Sequence, residues 1–269
     1  MPTEEETVCK MNARNRRIVF QALSGGPSQR FDPGDPPDDG GEPRLDVWGF
    51  KDSRFTIDAA NNVVLEGTRY PLSGQELPAF LPWLRSTFQA DIKAEDIHPS
   101  LYPTRIPESC ASEEILRALR AVVGEHLTIE PEQRLRRGHG HTQAEMYAIK
   151  YGHLERIPDV VVFPGSENEV IALVKLAEER SLVLRPYGGG TCVNEALRCP
   201  AEEERTIVAV DMGRMNRIRW IDPVNRMACL QAGAVGRLVV AQLAEHGFTI
   251  GHEPDSIEFS TVGGWIATH

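Results

Sequence analysis

A strand–helix–strand run ending in three consecutive glycines constrains this chain more than any other feature. Val160-Val161-Val162-Phe163 is an apolar run short enough for a buried strand, and Pro164 closes it. Ser166-Glu167-Asn168-Glu169 has the spacing of a capping box, and the helix it opens extends to about Arg180. Leu182-Val183-Leu184 completes a β-α-β unit that delivers Pro186-Tyr187-Gly188-Gly189-Gly190-Thr191-Cys192. Glycines placed after a strand let the backbone take positive φ and approach a ligand closely. Successive N–H groups can then line up as a nest for an anion such as a phosphate or pyrophosphate. A flexible turn is the plainer alternative for a bare triplet. The setting favours the nest, because a second polar loop with glycines, His252 to Trp265, lies in the same α/β segment. Two such loops suggest a dinucleotide clamped between them.

Two common phosphate signatures are missing. There is no G-x-x-x-x-G-K-[ST] and no G-x-G-x-x-G leading into a helix, which argues against a P-loop NTPase and an ordinary Rossmann site. The net charge of −10 argues against a general nucleic-acid binder, which needs a basic face to meet phosphates. Cys9, Cys110, Cys192, Cys199 and Cys229 are scattered, with no C-x-x-C pair, so neither a disulfide framework nor a structural zinc site is indicated and a reducing compartment is expected. His139 and His141, two apart, would share one face of a strand. Without a third ligand at a supporting spacing, no metal site is expected.

The remaining chain reads as follows. Residues 1–44 are expected to form a disordered leader and linker, since ten of the 21 residues from Ser24 to Arg44 are Pro or Gly. Residues 45–153 read as a smaller mixed helical and strand region. It has short strands at Phe55-Thr56-Ile57 and Val63-Val64-Leu65, and a helix carrying Leu77, Phe80, Leu81, Leu84 and Phe88. Ser112 should cap a helix over Glu113 to Val123 that stops at Gly124. Beyond the glycine loop, strands are expected at Thr206–Val210, Asn216–Ile221 and Met227–Gln231, then a helix from Val235 to His246 stopped by Gly247.

Pro-x-Gly-Gly-Gly-Thr-[Ser/Cys] after a β-α-β unit resembles the pyrophosphate loop of the vanillyl-alcohol-oxidase (PCMH) type of FAD-binding domain. Trp48-Gly49-Phe50, Arg69 to Gly74, His139-Gly140-His141, Glu155 to Asp159, Met215 to Ile218 and Gly251 to Trp265 narrow it further. Together they resemble the alkyldihydroxyacetonephosphate synthase family, over about Leu45 to Thr268. The resemblance implies an α+β fold in which 154–269 is a PCMH-type domain, cut short and preceded by the smaller region. It implies FAD as cofactor, with acyl-dihydroxyacetone phosphate and a long-chain fatty alcohol as substrates in ether-lipid synthesis. It also implies a peroxisomal location, peripheral membrane association and a homodimer. Arg14 to Ala22 is a near-match to the amino-terminal peroxisomal signal, broken at Asn15. By carry-over, Pro186, Tyr187, Gly188, Gly189, Gly190, Thr191 and Cys192 would hold FAD. Asp255, Ser256, Ile257, Glu258, Phe259, Ser260, Thr261 and Thr268 would add to them. His252 is the candidate acid/base, since imidazole titrates in the working range.

The family's substrate-binding cap would follow this stretch, and His269 stands where the family has an arginine. The chain is therefore expected to be the front part of such an enzyme and inactive alone. Two alternatives stay open: a flavin-dependent 2-hydroxy-acid dehydrogenase sharing the same loop, and a non-catalytic short product that at most binds flavin or a partner.

Overall fold

The computed structural model describes residues 29–38, 40–96, 98–103 and 105–268. The expected peroxisomal signal, Arg14 to Ala22, and His269 lie outside them. The chain forms two units: a larger one from Asp38 to Val210, and a smaller one joining the residues up to Pro37 with those from Asp211 onward.

The larger unit opens with an antiparallel sheet of β1 (Arg54–Ile57), β2 (Val63–Glu66) and β3 (Glu76–Leu77), followed by α1 (Phe80–Phe88). Leu77, read from sequence as part of the helix, instead pairs with Val63. α2 (Glu113–Val123) begins where Ser112 Oγ accepts the Ile115 N–H at 3.3 Å and stops at Gly124, whose φ is +61°. The main sheet has the order β4 (Leu127–Thr128), β5 (Val160–Val162), β7 (Ile207–Asp211), β6 (Val183–Tyr187). Between β4 and β5 lie α3 (Pro131–Arg136) and α4 (Gln143–Tyr151), while α5 (Glu167–Arg180) links β5 to β6. β5 runs parallel to β7 and antiparallel to β4. The β-α-β unit is therefore split, because the α5 crossover carries the chain past the position that β7 later fills. β5 and β7 are buried on both faces, as expected when helices or loops cover a parallel sheet, whereas β6 at its edge buries only Tyr187 fully.

The sheet continues across the change of rhythm near residue 153. β4, from the expected front region, pairs with β5, and α2 packs on α5, so one core spans that point. Asp159 anchors it. Its side chain is fully buried and bidentate to Arg156, at 2.9 and 2.7 Å, and it accepts the N–H groups of Cys110 and Ile207.

In the smaller unit, β8 (Ile218–Asp222) and β9 (Met227–Leu230) form a bulged hairpin closed by Asp222, which accepts the Asn225 N–H at 3.0 Å. α6 (Gly236–Glu245) packs Val239 and Leu243 on Ile218 and Ile221, and α7 (Val262–Ala267) ends the fold. Part of the Pro/Gly-rich stretch is held here. Phe31 pairs with Ile221 through bonds of 3.0 and 2.9 Å, and Gln242 donates to the carbonyls of Pro33, Gly34 and Asp35. The Phe31 pairing and the Gln242 bonds together hold a segment whose composition is otherwise that of a linker.

Candidate functional site

The glycine loop leaves β6 at Tyr187, whose ring is buried under the Arg137 guanidinium, 5.3 Å from its centroid. The positive φ expected for the triplet is found at Gly190 alone, at +69°; a Cβ there would lie 2.4 Å from Tyr187 Oη. Among the described residues, the N–H groups of Gly188, Gly189, Gly190, Thr191 and Cys192 donate to no protein acceptor. Five successive main-chain donors without partners are unusual where the chain is partly buried, since most buried N–H groups are bonded. Such a row suits an anionic ligand.

The opposite end of the loop is tied down by a turn that sequence reasoning placed on a strand. His139 and His141 lie between α3 and α4, with ring centroids 5.9 Å apart. The His141 N–H donates to Cys192 O at 2.8 Å. Gly140 presses on the same residue: a Cβ there would meet Cys192 O at 2.4 Å and Sγ at 2.5 Å. Burial raises the Cys192 thiol pKa. His139 is 1% exposed, its Nδ1 sits 2.6 Å from Gly140 O, and its Nε2 is buried without a partner. Burial, then Arg136 and His139, push His141 down to about 4, so it is neutral at pH 7; its Nε2 lies 3.2 Å from Arg136 Nη1. Glu145 closes the turn by accepting the Gly140 N–H at 2.9 Å, the Thr142 N–H at 3.0 Å and the Thr142 hydroxyl at 2.8 Å. Burial pushes its carboxyl up, but these bonds outweigh burial and hold it below the usual range.

The second predicted stretch belongs to the smaller unit. Asp255 to Phe259 form a tight turn around Ser256, a non-glycine residue at φ +62°. Arg237 grips this turn: its N–H donates to Ile257 O at 2.9 Å and its guanidinium to Glu258 O. Gly236 permits the approach, because a Cβ there would lie 2.5 Å from Ile257 Cγ1 and 2.6 Å from Trp265 Cζ2. Among the described residues, the N–H groups of Asp255, Ser256 and Ile257 have no acceptor. The hydroxyls of Ser260 and Thr261 are engaged internally. Ser260 Oγ accepts from Trp265 Nε1 at 2.8 Å, and Thr261 Oγ1 caps α7 by accepting the Gly264 N–H at 3.3 Å. Thr268 is exposed and donates its hydroxyl to Gly264 O. His252 is exposed, its ring 5.4 Å from that of Trp265.

Arg237, Gly236 and Glu145 escaped sequence reasoning, and Gly140 entered it only within the His139-Gly140-His141 motif, without a role. Thr142-x-x-Glu145 has the spacing of a capping box and could have exposed Glu145; no local signal marks the others.

Residues 158–269 match the FAD binding domain family. Over 223 residues the chain is 38% identical to the alkyldihydroxyacetonephosphate synthase of Caenorhabditis elegans, covering 82% of this chain and 37% of that protein. A solved alkyldihydroxyacetonephosphate synthase superposes with a TM-score of 0.75 at 28% identity, over 84% of this chain and 43% of its own. The chain belongs to the alkyldihydroxyacetonephosphate synthase family. The family's protein from Dictyostelium discoideum is 35% identical over 66% of this chain and 28% of its own length. The chain thus spans well under half the length of the curated synthases it matches. D-2-hydroxyglutarate dehydrogenase of Pantoea ananatis is 36% identical over 116 residues, 42% of this chain, so the likeness to dehydrogenases is the narrower one. The fold is the α+β arrangement of this family, and its cofactor is FAD. The residues present fit that group: the free main-chain donors of Gly188 to Cys192, within the larger unit, suit a pyrophosphate.

Proposed function

We propose that this chain forms part of an FAD-dependent alkyldihydroxyacetonephosphate synthase of ether-lipid synthesis. Acyl-dihydroxyacetone phosphate loses its fatty carboxylate, a long-chain alcohol gives up its hydroxyl proton and adds as the ether, and no net redox change results. Family membership supports the reaction, and the free N–H groups from Gly188 to Cys192 carry the cofactor assignment. When bound, FAD supplies an electron-poor ring system for this exchange. Pro186 to Cys192, Asp255 to Thr261 and Thr268 are the proposed dinucleotide contacts, with the N–H groups of Gly188 to Cys192 and of Asp255 to Ile257 as the free donors. Arg237 holds the second turn in its binding shape. His252 is exposed enough to exchange a proton with substrate and is the proposed acid/base.

The reading includes a peroxisomal location, resting on the near-match at Arg14 to Ala22, and self-association as a homodimer. It also includes peripheral membrane association, which is supported by α1: Phe80, Trp83 and Phe88 are exposed on a helix without acidic residues. Among the described residues, no helix is long and apolar enough to cross a membrane.

The test is to extend the chain with the remaining carboxy-terminal length of a matched synthase, load it with FAD and follow transfer of labelled hexadecanol into ether product. D-Lactate and D-2-hydroxyglutarate are offered in parallel. Ether product without flavin bleaching supports the proposal; bleaching by a 2-hydroxy acid without ether product overturns it for the dehydrogenase reading. Loss of turnover with retained flavin in His252→Ala supports the acid/base role.

A further inference from the structure

We infer that Glu145, acting through the His139–Thr142 turn, is the positioning residue that keeps the glycine loop ready for its dinucleotide. The inference rests on the FAD reading of that loop and adds a residue outside it.

The loop has two kinds of main-chain group, and the structure treats them differently. Its N–H groups from Gly188 to Cys192 have no protein partner, whereas the carbonyl that ends the run, Cys192 O, is taken by the His141 N–H at 2.8 Å. Fixing one carbonyl removes rotations of the neighbouring peptides, so the donors need not be ordered again when an anion arrives. The contact is specific to glycine. At position 140 a methyl group would lie 2.4 Å from Cys192 O, and a main-chain atom cannot swing aside as a long side chain can.

The turn that makes this contact is short and has few ties of its own. Glu145 supplies them, with one carboxylate oxygen on the Gly140 N–H and the other on the N–H and hydroxyl of Thr142. The residue is only 5% exposed, so water does not replace these bonds when they are lost. Thr142 in turn accepts the Glu145 N–H at 3.1 Å, closing a capping box that fixes the start of α4. A helix cap alone needs only that reciprocal pair. The additional bond to Gly140 reaches beyond the cap toward the glycine loop.

The experiment is titration of FAD into the apoprotein, followed by flavin fluorescence well below each variant's melting temperature. Glu145→Gln keeps the size and loses one charge-assisted acceptor, and about tenfold weaker FAD binding is expected. Gly140→Ala should weaken binding at least as much. Thr142→Ser keeps the hydroxyl and should bind as wild type does, whereas Thr142→Val should resemble Glu145→Gln. Ser112→Ala is the control for a purely structural effect: it removes a cap on α2, lowers the melting temperature and should leave FAD affinity unchanged. If wild type binds FAD and Glu145→Gln and Gly140→Ala bind it equally well, the positioning role is overturned and the FAD reading stands. If Ser112→Ala weakens binding as much as they do, general destabilisation explains the result and the positioning role is again overturned. If wild type binds no FAD, both fall.

Discussion

At Gly190 two constraints meet at one atom that the residue lacks. Alanine there would be held at φ +69°, which costs about 1–2 kcal/mol for an L-residue. Its methyl group would also collide with Tyr187 Oη. Gly190→Ala is expected to fold but to purify with little flavin. Adding Tyr187→Phe, which removes the colliding hydroxyl, should recover part of it; the ratio of flavin to protein absorbance reads both. His141 gives a pH signature. Its folded pKa of about 4 lies below the 6.5 of an unperturbed imidazole, so between those values the unfolded chain binds the extra proton. Stability is therefore present above about pH 6.5 and is lost progressively as pH falls toward 4. Melting temperature should drop between pH 6.5 and 5 in wild type and less steeply in His141→Gln. Equal slopes would remove His141 from the account.

Among the elements, Asp159 joins three segments with one carboxylate: Arg156 beside it, Cys110 before α2 and Ile207 at the start of β7. Asp159→Ala strands a guanidinium that is only 9% exposed and is expected to cost about 3–5 kcal/mol, measured by urea denaturation. The elements also show what could be read in advance. α2 was legible because the Ser112 cap, apolar spacing and a stopping glycine agree within one segment, and α6, which has no side-chain cap, from its apolar spacing and Gly247. β5, β7, β8 and β9 were legible as short apolar or alternating runs between turn residues. α3 and α4 were not, because charged and histidine residues there are buried by tertiary contacts that no periodicity records. α7 carries Gly263 and Gly264, poor helix formers; Gly263 is required because a Cβ would meet Ala232 O at 2.8 Å. The glycine loop was legible as a turn leaving a strand, but its brace was not, since Gly140 and Cys192 are distant in sequence and the bond that joins the two segments is between main-chain atoms.

At the scale of the whole molecule, the arm at residues 29–37 belongs with residues from 211 onward. Phe31 packs against the cluster of Ile218, Ile221, Val239 and Leu243 and sets its ring 5.0 Å from that of His246. Phe31→Ala is expected to cost about 1–2 kcal/mol for a half-buried aromatic, and to speed proteolysis of 29–37, read by timed digestion and mass spectrometry. Expected loss is confined to the smaller unit; equal cleavage in both proteins would show that the arm is not held. The pairing of Phe31 with Ile221 also dictates an order of events during synthesis. The arm leaves the ribosome first, yet its partners emerge only after Asp38 to Val210 has been made. The segment in between can close its own sheet as it emerges, while the arm waits with an apolar ring exposed and nothing to cover it. Nascent chains stalled near Val210 should therefore be cut within residues 29–37 by a protease that spares the larger unit, and chains extended through Thr268 should resist it. The earliest part of this fold to be made is then among the last to dock, and that interval is when a chaperone has most to do.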